Sequence, residues 1–319
     1  MRLPLSLAVC TLFFAASLLA DAEPAGVFVA VGYGGRRISS RDGIHWENDQ
    51  RWSNVTADND DVLFNVAYGL HRFIAVGGGA RFGHILSSRD GKDWKELPLL
   101  KGRVATIAFG RDRFVAGHDG ELLWSTDGET FHPGKKLEIK GSIHARRSAC
   151  GDTEAGFMTV IIGDADLWEE KSRVAWRAST TDGETWASQS VDTPAARDIA
   201  YGAGHFVVVG PAGLIEQSHD GQNWTRCETA ADEDFRAVVW TGSQFLAQGK
   251  TLWTSPDGLV WKAQPKPLPC QPAWAQDGVG GIGLSWGGNL FFSSDFIDWK
   301  KVEILPGPSF TAAAWGRPE

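Results

Sequence analysis

Methionine, tyrosine and cysteine are scarce in this chain: 319 residues contain 2 Met, 3 Tyr and 4 Cys. Three cysteines lie beyond the first 22 residues, Cys150, Cys227 and Cys270, so at most one disulfide can form among them. That excludes a disulfide-stapled scaffold. Cys227 and Cys270 either form that bridge or remain as buried thiols. An excess of basic residues is also missing. The formal charge of −8 gives nothing for nucleic acid to bind. No block of like charge is long enough to be a tail, and no stretch reads as a long amphipathic helix. Zinc-type Cys/His spacing, a calcium loop, a phosphate-cradling glycine loop and a nucleophile elbow are absent too, so no metal or cofactor is expected.

Apolar runs are confined to the N-terminus. Arg2 supplies a positive start, Leu3 to Leu19 an apolar stretch, and Ala20-Asp21-Ala22 a small-x-small cleavage site. Residues 1–22 are therefore expected to be a secretory signal, cleaved after Ala22, and the protein to be secreted or periplasmic. Nothing later is long enough to span a bilayer.

What the chain has in abundance is glycine (38), tryptophan (15) and a repeated phrase, Ser/Thr-x-Asp-Gly-x-x-Trp. Seven copies carry Asp42, Asp90, Asp127, Asp182, Asp220, Asp257 and Asp295, at steps of 48, 37, 55, 38, 37 and 38 residues. Asp-Gly between two strands is a strong hairpin signal. A recurring step of 37 or 38 residues is the length of one four-stranded blade, and seven periods close one ring. Upstream of each turn lies a second phrase, such as Ala67-Tyr68-Gly69 followed by Phe73 to Gly77, which reads as two apolar strands joined by a tight turn. The fold class is therefore all-β: a seven-bladed propeller of four-stranded antiparallel blades over residues 23–319. Gly26 to Gly32 matches a second strand with no first, and Ala313 to Gly316 a first strand with no second. The C-terminal strand should thus close the ring inside the N-terminal blade. A ring without free edges is expected to be a monomer.

These repeats resemble the Asp-box family, also called the bacterial neuraminidase repeat, over nearly the whole chain beyond the leader. The third copy has Phe131 for Trp. The seventh has Phe296 for Gly, and its turn is expected to use another geometry. The resemblance implies that the box aspartates are structural and lie opposite the ligand face. The family includes sialidases, other glycoside hydrolases, a photosystem assembly factor and sorting-receptor ectodomains, so fold alone does not choose a function.

Candidate chemistry must come from the ligand face. Three residues before the alanine of each first strand stand Phe64, Ala105, Arg146, Arg197, Arg236, Cys270 and Thr311. Arg146, Arg197 and Arg236 occupy one register in consecutive blades. They either clamp an anion at the channel mouth or pair with local acids such as Asp198, Asp232 or Asp234. A sialidase would also need a tyrosine nucleophile with a glutamate partner. Tyr68 and Tyr201 sit at a repeat position that elsewhere holds Phe or Trp, and only Tyr33 falls outside the pattern. A glycosidase would need two opposed carboxylates; Asp60, Asp61, Asp119, Glu121, Asp164, Asp166, Glu169 and Asp198 are candidates without a distinguishing motif. Two long loops interrupt the repeat, Gln50 to Asp61 and Gly163 to Arg173, and carry Trp52 and Trp168 outside the box positions. Either tryptophan could anchor a ligand or pack its own loop. The preferred reading is a non-catalytic binding or assembly module for an anionic glycan or a protein partner. The alternative is a glycan-active enzyme: a glycoside hydrolase, sialidase-like or otherwise, or a polysaccharide lyase.

Overall fold

The computed structural model describes residues 26–318 apart from 56–59, 155, 228, 230–231 and 277. The expected leader lies outside the described residues. Seven four-stranded antiparallel sheets form the blades of a propeller, each sheet running from an inner strand at the axis to an outer strand at the rim. Inner strands of blades 2 to 7 are Leu63–Gly69, Val104–Gly110, Ser142–Thr153, Asp198–Gly202, Ala237–Trp240 and Gln271–Gln276. Blade 1 takes its inner strand, Phe310–Gly316, from the far end of the chain and pairs it with Val27–Gly32. Arg36, wholly buried, locks this seam. It donates to both carboxylate oxygens of Asp49 at 3.1 and 2.9 Å and to the carbonyls of Leu305 and Pro308, and it lies 4.5 Å over the Phe310 ring.

Each Asp-Gly turn is held by its own side chains. In the third, Asp127 Oδ1 accepts from the Glu129 and Thr130 amides at 2.7 Å, while Ser125 Oγ accepts from the Gly128 amide at 2.9 Å. The same bonds to the aspartate recur in all seven copies. The seventh turn corrects the sequence expectation. Phe296 adopts φ 61°, the left-handed conformation of the glycines elsewhere, and Asp295 still accepts from the Ile297 and Asp298 amides. The carboxylate bonds hold the geometry against a backbone cost of about 1–2 kcal/mol.

Glycine serves a second purpose in these turns: it lets one blade approach the next. A Cβ on Gly91 would meet Val29 of blade 1 at 2.8 Å, and one on Gly258 would meet Val207 of blade 5 at 2.8 Å. Near the axis a matching step recurs. The rings of Tyr68, Phe109, Tyr201 and Trp240 lie against Gly316, Gly69, Gly151 and Gly202 of the preceding blade, where any Cβ would overlap the ring. Each ring also sits 4.7–4.8 Å from a fully buried phenylalanine of its own second strand: Phe73, Phe114, Phe206 or Phe245. Blade 4 has Cys150 at this register, and Phe157 fills the step over Gly110. Trp274 stacks on Trp315 at 6.2 Å where blade 7 meets blade 1. Cys227 and Cys270 are both buried and unpaired; Cys227 donates to the Gly258 carbonyl, and Cys270 fits beside Gly283.

Two outcomes follow from this packing. Gly69→Ala, at a position without positive φ, should destabilise the fold by about 1–3 kcal/mol through overpacking alone, read as a lower urea midpoint. The box carboxylates supply an acid limit. Burial opposes ionisation of Asp127, Asp182 and Asp220, but the amide and hydroxyl donors outweigh it and hold each at about 2. Because the folded pKa lies below the unfolded value of about 3.9, this stabilisation is present above pH 4 and is lost as pH falls through 2. The thermal midpoint should drop steeply across that window.

Candidate functional site

In six of the seven blades the arginine register coincides with a backbone irregularity that the sequence did not reveal; in blade 7 the irregularity lies at Ala273 instead. At Phe64, Ala105, Arg146 and Thr311 the inner strand carries one residue more than its partner strand. In blades 5 and 6 the same doubling involves Arg197 with Asp198 against Val209, and Arg236 with Ala237 against Gln248. A bulge re-aims the extra side chain out of the blade, here toward the channel mouth.

Blade 4 enlarges this mouth. The Gly163 to Arg173 segment is not the loop expected: its two arms continue the strands Gly156–Leu167 and Ser172–Thr180, which pair as far as Leu167 with Ser172. Alternation of Asp164 and Asp166 with Ala165 and Leu167 is the period of a strand with one polar face. That face borders a cavity of about 500 Å³ lined by Arg103, Arg146, Arg147, Arg173, Arg197, His144, Asp164, Asp166, Ala105, Ala145 and Phe64. Arg146 and Arg197 are thus brought together. Arg236 is exposed at the start of its strand and outside this lining; its charge is felt at Asp234.

Carboxylates orient the guanidinium groups. Arg146 donates through Nε to buried Asp164 and also contacts it through Nη2. Arg173 donates to Asp166 at 2.8 Å, and His144 Nε2 lies 3.0 Å from the same carboxylate. Arg173 above all, and then His144, hold the Asp166 carboxyl below its usual range. Arg197 bonds Asp234 at 3.1 Å, Arg103 lies 3.5 Å from Asp119, and Arg147 lies 3.9 Å from Asp198. Asp119, Asp198 and Asp234 stand outside the cavity lining, so the cavity wall presents five arginines against two aspartates. Fixed guanidinium groups that keep unsatisfied N–H donors suit carboxylate or phosphate oxygens.

A second cavity, about 430 Å³, is the central channel, and it shares Arg147 with the first. Its polar belt passes from blade to blade: Thr311 to the Leu63 carbonyl, Asn65 to Thr106, Thr106 to Ser148, and Arg147 toward Asp198. Asp198 in turn accepts from the Val238 amide at 2.9 Å. Burial pushes its carboxyl up to about 6, against the opposing pull of Arg147 and of the Val238 and Ile199 amides.

The remaining candidates scatter. Tyr68 and Tyr201 donate to the carbonyls of Arg317 and Asp152 and serve as inter-blade wedges. Tyr33 lies edge-on to Trp286 at 6.4 Å. Asp60 pairs with Arg81, and Glu121 with His118. Trp52 is held between the Arg37 guanidinium and His84 over Gly35, packing its own loop. Trp168 is 75% exposed at the tip of the blade 4 hairpin. Trp286 is equally exposed and was missed, because Trp286-Gly287-Gly288 reads as an ordinary strand-joining turn. Among the described residues no three His, Cys, Asp or Glu side chains gather as a metal site requires, and no helix is long and apolar enough to cross a membrane.

Fold and cavity together define a seven-bladed propeller with an arginine-lined pocket over one enlarged blade. No family model matches the chain, and no curated protein matches it. Among solved structures, it is similar to Ycf48 bound to a D1 peptide, at 15% identity and a TM-score of 0.54 over 78% of this chain and 83% of that one. Ycf48 from Cyanidioschyzon merolae matches at 13% identity and a TM-score of 0.53, over 84% and 92%. A nidogen/laminin complex matches at 8% identity and a TM-score of 0.50, over 91% and 98%. At such identities the likeness is one of fold.

Asp198→Asn offers a direct check on the channel. A folded pKa above the unfolded value of about 3.9 gives stability that is fully present below pH 4 and lost as pH rises through 6. The variant should flatten the decline in unfolding free energy between pH 4 and 7, measured by urea titration.

Proposed function

We propose that this chain is an Asp-box propeller that is exported by its N-terminal leader and works as a monomeric, non-catalytic binding or assembly module. Its ligand is an acidic segment of a protein partner, seated in the arginine-lined cavity over blade 4. The observation that carries this reading is the set of five arginines facing one cavity, each backed by a carboxylate, on a chain whose formal charge is −8. Arginine is enriched at protein interfaces because its planar fork binds carboxylates bidentately and its flat face packs well. The Ycf48 structure with a D1 peptide gives a fold-level precedent for peptide binding by such a propeller.

Binding is preferred to glycan hydrolysis on chemical grounds. A glycosidase keeps two carboxylates aimed at the scissile bond. Here Asp164 and Asp166 are engaged by Arg146, Arg173 and His144, which favours fixed charge over proton transfer.

The test is fluorescence anisotropy with labelled oligo-aspartate peptides. The Arg146→Ala/Arg197→Ala double variant should lose at least about tenfold in affinity, and wild-type affinity should fall with added salt. Arg236→Ala, outside the cavity, should stay within about twofold. A double variant that binds like the wild type would exclude the cavity. Binding of uronic-acid oligosaccharides in place of peptides would reassign the partner to a glycan, and their cleavage would reinstate the enzyme.

A further inference from the structure

Beside the arginine cavity lies a smaller one, of about 280 Å³, whose wall includes Lys140, Asp166, Trp168, Glu169 and Glu170. Asp166 belongs to both cavities, so the two adjoin. Their charges are opposite. In the smaller cavity Lys140 is taken by Glu170 at 2.5 Å, and Asp166 is held by Arg173 and His144. Glu169 is exposed and has no ion pair among the described residues. Next to it Trp168 presents an indole that is 75% exposed at the tip of the hairpin. An uncovered indole beside an unpaired carboxylate is the arrangement that attracts a guanidinium or ammonium group, through the ring face and the charge together.

The hairpin fixes the separation. From Asp164, which anchors Arg146, three residues of paired strand lead to Leu167 and one more to Trp168 at the head of the turn, roughly 13 Å at most at the rise of a β-strand. An extended ligand covers that distance in about four residues.

We infer that blade 4 reads a two-part signal: a carboxylate residue in the arginine cavity and, about four residues away, an arginine or lysine over Trp168 beside Glu169. This inference rests on the reading of the arginine cavity as the site for an acidic protein segment, and it adds a second subsite of opposite sign. The occupant is a short extended segment of a partner protein, selected by the complementarity of both charges and by their spacing. Trp168 and Glu169 set specificity, because a segment with acidic residues alone leaves the indole uncovered and meets an unpaired carboxylate.

The experiment uses the full chain and an array of labelled synthetic peptides. Each peptide carries one Asp-Asp pair and one Arg, separated by two to six Gly/Ser residues; a parallel set replaces Arg by citrulline. Wild type should bind best near a four-residue separation and lose about five- to tenfold on the citrulline exchange. Trp168→Ala should lose about the same amount on the Arg peptides, show no further loss with citrulline, and keep its affinity for Asp-only peptides. Trp168→Phe should recover part of the loss. If Trp168→Ala and the citrulline exchange both leave affinity within about twofold while Arg146→Ala/Arg197→Ala abolishes binding, the second subsite is wrong and the arginine reading stands. If Trp168→Ala weakens binding while the arginine double variant does not, the arginine cavity is wrong. Failure of every peptide to bind overturns both.

Discussion

The distance at which one blade can approach its neighbour governs this molecule. Near the axis an aromatic ring of one inner strand lies on a glycine of the preceding blade. Farther out, the glycine of each Asp-Gly turn lies against apolar side chains of the preceding blade. A closed ring of seven must repeat a similar small angle at every step, so an added Cβ at either contact strains the ring. The exceptions are compensated. Blade 4 replaces its missing ring with Phe157, and the seventh turn places Phe296 against the Val239, Leu246 and Leu252 cluster while keeping a positive φ.

Such a ring makes a rigid base for whatever departs from it. The inner-strand bulges recur, but only blades 4, 5 and 6 put arginine there, and only blade 4 lengthens its first three strands beyond the ring. Those long strands raise Asp164, Asp166 and Arg173 to the level of the channel mouth, where they meet Arg103 from blade 3 and Arg197 from blade 5. The charged residues of the cavity thus come from three blades, and Phe64 of blade 2 completes its wall.

The ion pairs of the cavity bear on function more than on stability. Their guanidinium groups stay partly in solvent, which limits what they contribute to folding, although Asp164 itself is buried beneath Arg146. Their effect is to fix flexible guanidinium groups before a ligand arrives, which lowers the entropic cost of binding. The buried contact of Arg177 with Glu216, beneath the Trp224 ring, is of another kind: it joins blades 4 and 5, and removing one partner would leave a buried charge uncompensated.

The blade count, the strand order within a blade and closure by the C-terminal strand were legible in the sequence. Asp-Gly turns and alternating apolar strands are local signals, and their spacing carries the period. Arg146 and Arg197 were legible as one register, and Trp168 as a residue the repeat does not explain. Arg103, Arg147 and Arg173 were not, because they stand at different registers in two neighbouring blades and are brought to one cavity by the packing of those blades. The bulges that aim the arginines left no residue signature, since Phe, Ala, Arg and Thr all occupy them. Trp52 and Trp168 looked alike as loop tryptophans, yet Arg37 and His84 flank one and leave it 37% exposed, while the other stands 75% exposed at the tip of the blade 4 hairpin. The sequence by itself determined the ring, because each blade is written in contiguous residues. Only the tertiary structure decided the site, because its charges come from separate blades and their separations are set by how the blades pack.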